Sequence, residues 1–289
     1  MTQPRLIDAA GHRLAVIEGN PAASGPPVVF IHGILASVQY TEVILPACLR
    51  QRRWIALSLP GHFPAQAPPD YRRKPVTPSL LTEILSAALN EILRGTPCVL
   101  MGHSTGGLWS LLGAGELPER VRAVCSISGF AQGKLTGLLG LTQKIARAGP
   151  FGKKLAELNL YLLPRLPSVA GTILASMAAD KVASRAWPQS PASLKAAMTG
   201  LKQGDAADYT HLLANLADLD ITESVKKIRQ PCLVIHGAND PVVPVAQATL
   251  VANNVKHAEL AIYPGVGHLP FAERPQRFEQ DLDNWLRRM

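Results

Sequence analysis

The sequence predicts an α/β fold in which a mostly parallel sheet is covered on both faces by helices. Short apolar runs without polar alternation are typical of strands that are buried on both sides. Between them lie longer segments with apolar residues every three or four positions, which are the helical crossovers that parallel strands need. The alternation stops in the middle of the chain, and this indicates an insertion between two strands.

Six apolar runs are predicted as strands, at residues 28–31, 54–59, 98–101, 121–127, 232–235 and 260–263. An earlier run, at residues 13–18, is predicted as an antiparallel strand at the edge of the sheet. Helical spacing predicts helices at residues 79–93, 107–117 and 276–286.

Residues 130–222 have a helical pattern interrupted by five prolines, Pro150, Pro164, Pro167, Pro188 and Pro191. We expect an inserted helical cap there, with residues 1–129 and 223–289 forming the core domain. Most apolar side chains of the cap should pack against one another. A few should face the site below, as in a lid, and form an apolar pocket.

The chain has 289 residues and a formal charge of +8, so nucleic acid and anionic membranes are candidate partners. It contains no zinc-finger spacing, RNA-recognition signature or dense Lys/Arg block, and we expect no nucleic-acid partner. Residues 130–170 hold six basic residues against one acidic residue, Glu157. Solvated helix faces explain such an excess, and attraction for an acidic substrate or weak peripheral membrane contact are the alternatives. The oligomeric state cannot be predicted from these features.

The four cysteines lie far apart and form no CxxC pair, which suits a reducing compartment. The N-terminus lacks the apolar core of a secretory signal. No apolar segment reaches the roughly 18 residues of a membrane span. We therefore expect a cytoplasmic protein.

Polar residues follow four of the predicted strands. His32 and Gly33 follow the first, Ser104 lies in a Gly-rich loop after the third, and Asp240 and His268 follow the last two. Because parallel strands end at one edge of a sheet, Ser104, Asp240 and His268 should converge there.

The Gly-x-Ser-x-Gly pattern at residues 102–106 suggests a nucleophile elbow, in which a strained strand-to-helix turn exposes the Ser104 hydroxyl. His268 is the candidate base and Asp240 the residue that orients it. The N–H of Thr105, at the helix start, and that of Ile34 are the candidate donors of an oxyanion hole.

These motifs resemble those of the α/β-hydrolase superfamily, specifically its cap-bearing serine esterase-like branch. The resemblance rests on HG at 32–33, GHSTGG at 102–107, GANDPVVP at 237–244 and GVGHLPFAERP at 265–275. It implies an α/β-hydrolase fold with Ser104 as nucleophile, Asp240 as acid and His268 as base. It also implies oxyanion donors and residues that support the elbow and its loops: Ile34, Thr105, His32, Gly33, Gly102, His103 and Gly106.

One loop departs from the family. Relatives usually have Asp-x-Pro-Gly-x-Gly-x-Ser after the strand that is predicted here at 54–59, whereas this chain has SLPGHFPA at 58–65. The missing Asp, replaced by Ser58, leaves the hydrogen bonding and path of the loop open. A Ser nucleophile disfavours dehalogenase or epoxide hydrolase chemistry, which uses Asp at that place.

Simpler interpretations exist for each residue. Ser104 could be a turn residue and His268 a loop histidine, and Asp218 or Asp220 could replace Asp240 as the acid. His32, His103, His236 and His268 all end strands, but their spacing matches no metal motif. We therefore expect neither a metal nor another cofactor.

The function that we expect is a serine hydrolase cleaving an ester, thioester or lactone with an apolar acyl group through an acyl-enzyme on Ser104. An acyltransferase, or a lyase or cyclase with the same triad, is one alternative. A ligand receptor of hydrolase fold with little turnover is another. The natural substrate and its acyl chain length cannot be predicted from these motifs.

Overall fold

A computed structural model of the chain describes residues 2–166, 175–186 and 198–289. Eight strands form one sheet in the order β1-β2-β4-β3-β5-β6-β7-β8. Strand β2 pairs antiparallel with β1 and β4, and all other neighbours are parallel. The strands are β1 (Arg5–Ala9), β2 (His12–Gly19), β3 (Val28–Ile31), β4 (Trp54–Leu57), β5 (Cys98–His103), β6 (Val121–Ile127), β7 (Cys232–Gly237) and β8 (Ala258–Tyr263).

Helices connect these strands and cover the sheet. They are α1 (Val38–Ile44), α2 (Ala47–Arg50), α3 (Pro78–Leu93), α4 (Thr105–Glu116), α5 (Gly137–Ala146), α6 (Gly149–Leu162), α7 (Lys181–Ala186), α8 (Ala206–Leu216), α9 (Thr222–Val225), α10 (Ala246–Asn254), α11 (Pro270–Glu273) and α12 (Pro275–Leu286). Tyr71–Arg73 and Leu163–Arg165 form 3-10 turns, and residues 175–177 and 198–203 are also helical. None of the helices in these described stretches is long and apolar enough to cross a bilayer.

The central strands confirm the predicted parallel sheet. Every residue of β3, β4, β5 and β7 is buried, as expected for strands covered on both faces. β5 and β7 each run two residues beyond the predicted apolar run, to His103 and Gly237, because the ladder continues through these polar or small residues. β4 ends at Leu57, two residues before the predicted end at residue 59.

The prediction for the N-terminal edge is wrong in one respect. The run at 13–18 is indeed antiparallel, but it forms β2, which lies between β1 and β4. The edge strand is β1, where burial is confined to Ile7 and Ala9, so its apolar signal is too short to recognise. Ala10 and Gly11 join the two strands with positive φ angles of 49° and 79°, the backbone of a tight hairpin turn.

The three predicted helices are present as α3, α4 and α12. The side chain of Thr77 caps α3 by accepting a hydrogen bond from the N–H of Leu80, and Pro78 follows at the first helical position. Helix α4 starts at Thr105, two residues earlier than predicted. Its first residues are small, so the spacing of large apolar residues does not mark them as helical. Its residues Thr105–Gly115 are all buried, which makes α4 the central helix behind the sheet.

Between β6 and β7 the described regular structure is helical: α5 to α9, the 3-10 turn Leu163–Arg165 and the short stretches at residues 175–177 and 198–203. An isolated antiparallel bridge joins Gln132 to Asp220, so the two ends of this insertion meet where it leaves the sheet. Pro167, Pro188 and Pro191, three of the prolines used to predict the cap, lie outside the described residues. The division into a core and a cap domain stays a prediction.

Candidate active site

Ser104 occupies the sharp turn between β5 and α4. Its backbone has φ of 56° and ψ of −118°, an unusual conformation for a residue with a Cβ atom. A serine at the N-cap of a helix commonly accepts a hydrogen bond from the first turn, but the Ser104 side chain does not cap α4. The turn is instead held by the backbone, because the N–H of Ser104 donates to the carbonyl of Ile127 at 2.8 Å. The hydroxyl is therefore not used to build the helix.

The two glycines of the elbow are required by close packing. A Cβ atom on Gly102 would overlap the carbonyl oxygen of Gly106. A Cβ atom on Gly106 would overlap the carbonyl oxygen of Ile31 at the end of β3. The spacing Gly-x-Ser-x-Gly thus lets the start of α4 lie directly against the neighbouring strands.

Asp240 and His268 form a hydrogen-bonded pair at the ends of the last two strands. Nδ1 of His268 donates to Oδ2 of Asp240 at 2.7 Å, and both side chains are at most 3% exposed. The other carboxylate oxygen of Asp240 accepts the N–H groups of Val242 and Val243 at 2.8 and 2.9 Å. Burial alone would raise the pKa of Asp240. The charge and hydrogen bond of the adjacent His268 act in the opposite direction and outweigh burial, so the pKa lies below its usual value. Asp240 is therefore ionised and holds the imidazole of His268 through its Nδ1–H group.

His103 connects Ser104 to the loop of His268. Nε2 of His103 lies 2.9 Å from the carbonyl oxygen of His268, and the two rings are 4.8 Å apart. Because a carbonyl accepts only, His103 carries its proton on Nε2. Burial, with a smaller contribution from His268, lowers the pKa of His103 to about 3, so the ring is neutral. The structure thereby brings together the three strand ends that carry Ser104, Asp240 and His268.

The loop after β3 lies against the elbow. A Cβ atom on Gly33 would be 3.1 Å from the Cβ of Ser104, so this glycine allows an unusually close approach. Among the described residues, the N–H groups of Ile34 and Thr105 have no hydrogen-bond acceptor. Thr105 is the first residue of α4, where the partial positive charge of a helix N-terminus lies.

The family model described as Alpha/beta hydrolase family matches residues 28–281. The chain belongs to this family. The predictions of its fold and of a hydrolase enzyme are confirmed.

The similarity of this α/β hydrolase to known proteins extends over most or nearly all of its length. A pimeloyl-[acyl-carrier protein] methyl ester esterase of Aromatoleum aromaticum is 28% identical over 258 residues, which is 87% of this chain and 94% of that protein. The dihydrolipoyllysine-residue acetyltransferase component of an acetoin cleaving system of Pseudomonas putida is 25% identical and covers 99% of this chain and 70% of its own. The crystal structure of the enol-lactonase from Burkholderia xenovorans LB400 has a TM-score of 0.75 at 19% identity, with 98% and 99% of the two chains covered. At that identity the likeness is one of fold.

Two histidines join the loop after β3 to the loop after β4 in this α/β hydrolase. Nε2 of His32 accepts the N–H of Leu59 at 3.3 Å, while Nε2 of His62 accepts the N–H of Leu35 at 3.2 Å. Each Nδ1 donates within its own loop, from His32 to the carbonyl of Gly33 at 2.8 Å and from His62 to that of Pro60 at 3.0 Å.

This reciprocal pair of histidines requires both rings to be neutral. Burial lowers the pKa of His32 to about 3 and that of His62 to about 4. The bond from His32 holds the carbonyl of the peptide between Gly33 and Ile34, so it also fixes the direction of the Ile34 N–H. His32 thus holds the loop after β3 through its hydrogen bonds, and His62, which was not among the predicted residues, does the same from the loop after β4.

Ser58, which stands where relatives usually have Asp, forms two hydrogen bonds to β2. Its Oγ accepts the N–H of Ala15 at 2.8 Å, and its own N–H donates to the Ala15 carbonyl at 2.9 Å. Ser58 therefore ties the start of this loop to β2.

Glu273 is a further residue that sequence reasoning missed. It is 1% exposed, and its carboxylate accepts the N–H groups of Gly267 and Leu269, on either side of His268. The same carboxylate accepts the N–H groups of Ala179 and Asp180, at 2.9 and 2.8 Å. One side chain therefore fastens the His268 loop to the inserted region. Glu273 stands in the quoted motif GVGHLPFAERP, but only the fold reveals its partners.

The alternative acids have structural partners elsewhere, whereas Nε2 of His236 lies 3.4 Å from Oδ2 of Asp240. Asp218 pairs with Arg147 at 2.6 Å, and Asp220 accepts from the N–H of Thr222, so neither replaces Asp240. Nε2 of His236 lies 3.0 Å from the carbonyl of Val243. Within the described ranges there is no group of three or more His, Cys, Asp or Glu residues that could hold a metal.

Proposed function

We propose that this α/β hydrolase is a serine hydrolase that cleaves a carboxylic ester, thioester or lactone with an apolar acyl group. The observation that carries the proposal is the arrangement at the strand ends. Ser104 stands in a strained turn after β5, with a side chain that does not cap the helix. A buried Asp240–His268 pair with a 2.7 Å hydrogen bond lies beyond the ends of β7 and β8. This is the chemistry of an activated serine nucleophile.

In the proposed reaction Oγ of Ser104 attacks the acyl carbon while Nε2 of His268 takes its proton. Asp240 holds Nδ1–H and stabilises the imidazolium that forms. His268 then protonates the leaving alkoxide or thiolate, and an acyl-enzyme remains on Ser104. A water molecule deprotonated by His268 attacks the acyl-enzyme, and the acid leaves as Ser104 regains its proton.

The oxyanion of each tetrahedral intermediate would be bound by the N–H groups of Ile34 and Thr105. The proximity of Gly33 to Ser104 and the lack of another acceptor for either N–H among the described residues support these roles. One such donor contributes roughly 3–4 kcal/mol to transition-state stabilisation in known cases.

The proposed preference for an apolar acyl group rests on the predicted apolar cap, and the name of one relative supports an acyl substrate. The relative from Aromatoleum aromaticum is named for the methyl ester of an acyl chain bound to a carrier protein. We therefore include methyl esters of straight-chain acids among the test substrates, besides p-nitrophenyl esters of increasing chain length.

The experiment compares wild type with Ser104→Ala on these esters. Ser110→Ala is the matched control, because it removes a buried hydroxyl without a hydrogen-bond partner from the same helix. We expect hydrolysis to vanish in Ser104→Ala and to persist in Ser110→Ala. Activity that survives in Ser104→Ala would refute the proposal. Binding of an ester without turnover by wild type would favour a receptor.

Acyl transfer is the second candidate, since one relative is named as an acetyltransferase component. Hydrolysis in ¹⁸O-labelled water separates the two functions by mass spectrometry of the product acid. Incorporation of one labelled oxygen indicates hydrolysis, whereas an unlabelled ester or amide formed from an added alcohol or amine indicates transfer. The cytoplasmic location and the absence of a nucleic-acid partner stay predictions from the sequence.

A further inference from the structure

Helix α6 presents a row of large apolar side chains to solvent. Phe151, Leu155, Leu158 and Leu162 follow one another at helical spacing and are 83%, 46%, 52% and 46% exposed. The opposite side of the helix carries the buried residues of α6, Gly152, Ala156 and Leu160. We call the exposed row the α6 ridge. A soluble helix normally places its apolar residues on the buried face, so the ridge is the reverse of the usual pattern.

The neighbouring helix α5 carries two further exposed leucines. α5 packs against α6, and its Leu138 and Leu141 are 47% and 55% exposed. Single exposed leucines are ordinary, but so many large apolar side chains on one helix pair indicate an interaction surface.

Basic side chains accompany the α6 ridge. Lys154 is 79% exposed on α6, where it pairs with Glu157 at 2.6 Å, and Lys144 is exposed on α5. Beyond the end of α6 the guanidinium of Arg165 lies 3.7 Å above the half-exposed ring of Tyr161. Residues 130–166 contain six basic residues and a single acidic one, Glu157. An apolar row with Phe and Leu flanked by Lys, Arg and Tyr is typical of helices that lie in the interface of a lipid bilayer.

We infer that the α6 ridge binds the surface of an anionic membrane, with α6 parallel to the bilayer and Phe151 and the three leucines in the acyl boundary. The charge distinguishes this occupant from a second copy of the chain, because two such faces would bring like charges together. The sequence suggested membrane contact from a basic, Leu-rich segment at residues 134–165, and the structure adds which apolar side chains of that segment face solvent. The inference does not depend on the proposed catalytic function.

The test is co-sedimentation with vesicles of phosphatidylcholine alone or mixed with phosphatidylglycerol, at low and high salt. Wild type should bind the mixed vesicles at low salt and bind less at high salt. Phe151→Ser combined with Leu155→Ser should lower the partition coefficient by about ten-fold or more, since both side chains lose their apolar contribution. Lys154→Glu should weaken binding to the anionic vesicles more than binding to pure phosphatidylcholine.

Leu260→Ser is the matched control, because it removes a 41% exposed leucine from strand β8. It should bind like wild type, and all variants should keep the circular dichroism spectrum of the folded protein. Equal binding by wild type and the Phe151/Leu155 variant, or no binding at low salt, would overturn the inference. The inference would also be overturned if wild type formed a dimer in analytical ultracentrifugation and the Phe151/Leu155 variant were monomeric. Retention by an immobilised acyl-carrier protein without vesicle binding would assign the ridge to an acidic protein instead.

Discussion

Replacing Glu273 by glutamine should loosen the His268 loop while hardly changing the volume of the side chain. The carboxylate accepts N–H groups from Gly267, Leu269, Ala179 and Asp180. A glutamine has one acceptor oxygen, and its NH₂ group would face N–H donors on the other side. At least two buried N–H groups then lose their acceptor, at about 1–3 kcal/mol each. We expect the free energy of unfolding to fall by about 2–5 kcal/mol.

Thermal unfolding and steady-state kinetics measure this change together. At about 2 °C per kcal/mol for a chain of this size, Tm should fall by about 4–10 °C. A displacement of His268 by even a fraction of an ångström should lower kcat by roughly ten- to a hundred-fold, with KM changed much less. Glu223→Gln is the control, since the Glu223 side chain is 82% exposed and pairs with Lys226. A Glu273→Gln variant with the Tm and kcat of wild type would refute the reasoning.

Three further predictions concern the groups around the elbow. Gly33→Ala places a methyl group about 3.1 Å from the Cβ of Ser104. The kcat for p-nitrophenyl esters should therefore fall, while the circular dichroism spectrum stays that of the folded protein. An unchanged kcat would contradict the oxyanion role of this loop. Asp240→Asn leaves the shape of the site but favours the wrong tautomer of His268, so kcat should fall by about 10³–10⁴-fold, and a loss under ten-fold would exclude Asp240 as the orienting acid. The pKa of His62 is about 4 in the folded protein and near 6.5 when unfolded, so its neutral form contributes stability that is full above pH 6.5 and is lost as the pH falls towards 4. Denaturant unfolding at several pH values should therefore show a shallower acid slope for His62→Gln than for wild type, whereas an identical slope would contradict the role of the ring.

The sheet and the loops at its ends could be predicted because their signals are local. Each buried strand is a continuous apolar run, and each functional loop begins with a small or polar residue directly after it. The parallel arrangement alone then places Ser104, Asp240 and His268 at one edge. The edge strand β1 was missed because burial in it is confined to two residues, Ile7 and Ala9.

The hydrogen bonds that hold the loops of the site could not be predicted from the sequence, because they join residues that are far apart in the chain. His62 accepts a hydrogen bond from Leu35, and Glu273 binds backbone groups of Ala179 and Asp180. These partners are far apart in sequence, and no spacing rule connects them. The α6 ridge was invisible for another reason: helical periodicity identifies an apolar face but does not tell which side of the helix the fold covers.

Covalent labelling tests the central claim most directly. Wild type, Ser104→Ala and Ser110→Ala are treated with a fluorophosphonate and examined by intact-protein and peptide mass spectrometry. The account predicts a single adduct on Ser104 in wild type and Ser110→Ala, and none in Ser104→Ala. An adduct on another residue, or labelling of Ser104→Ala at the rate of wild type, would contradict Ser104 as the nucleophile.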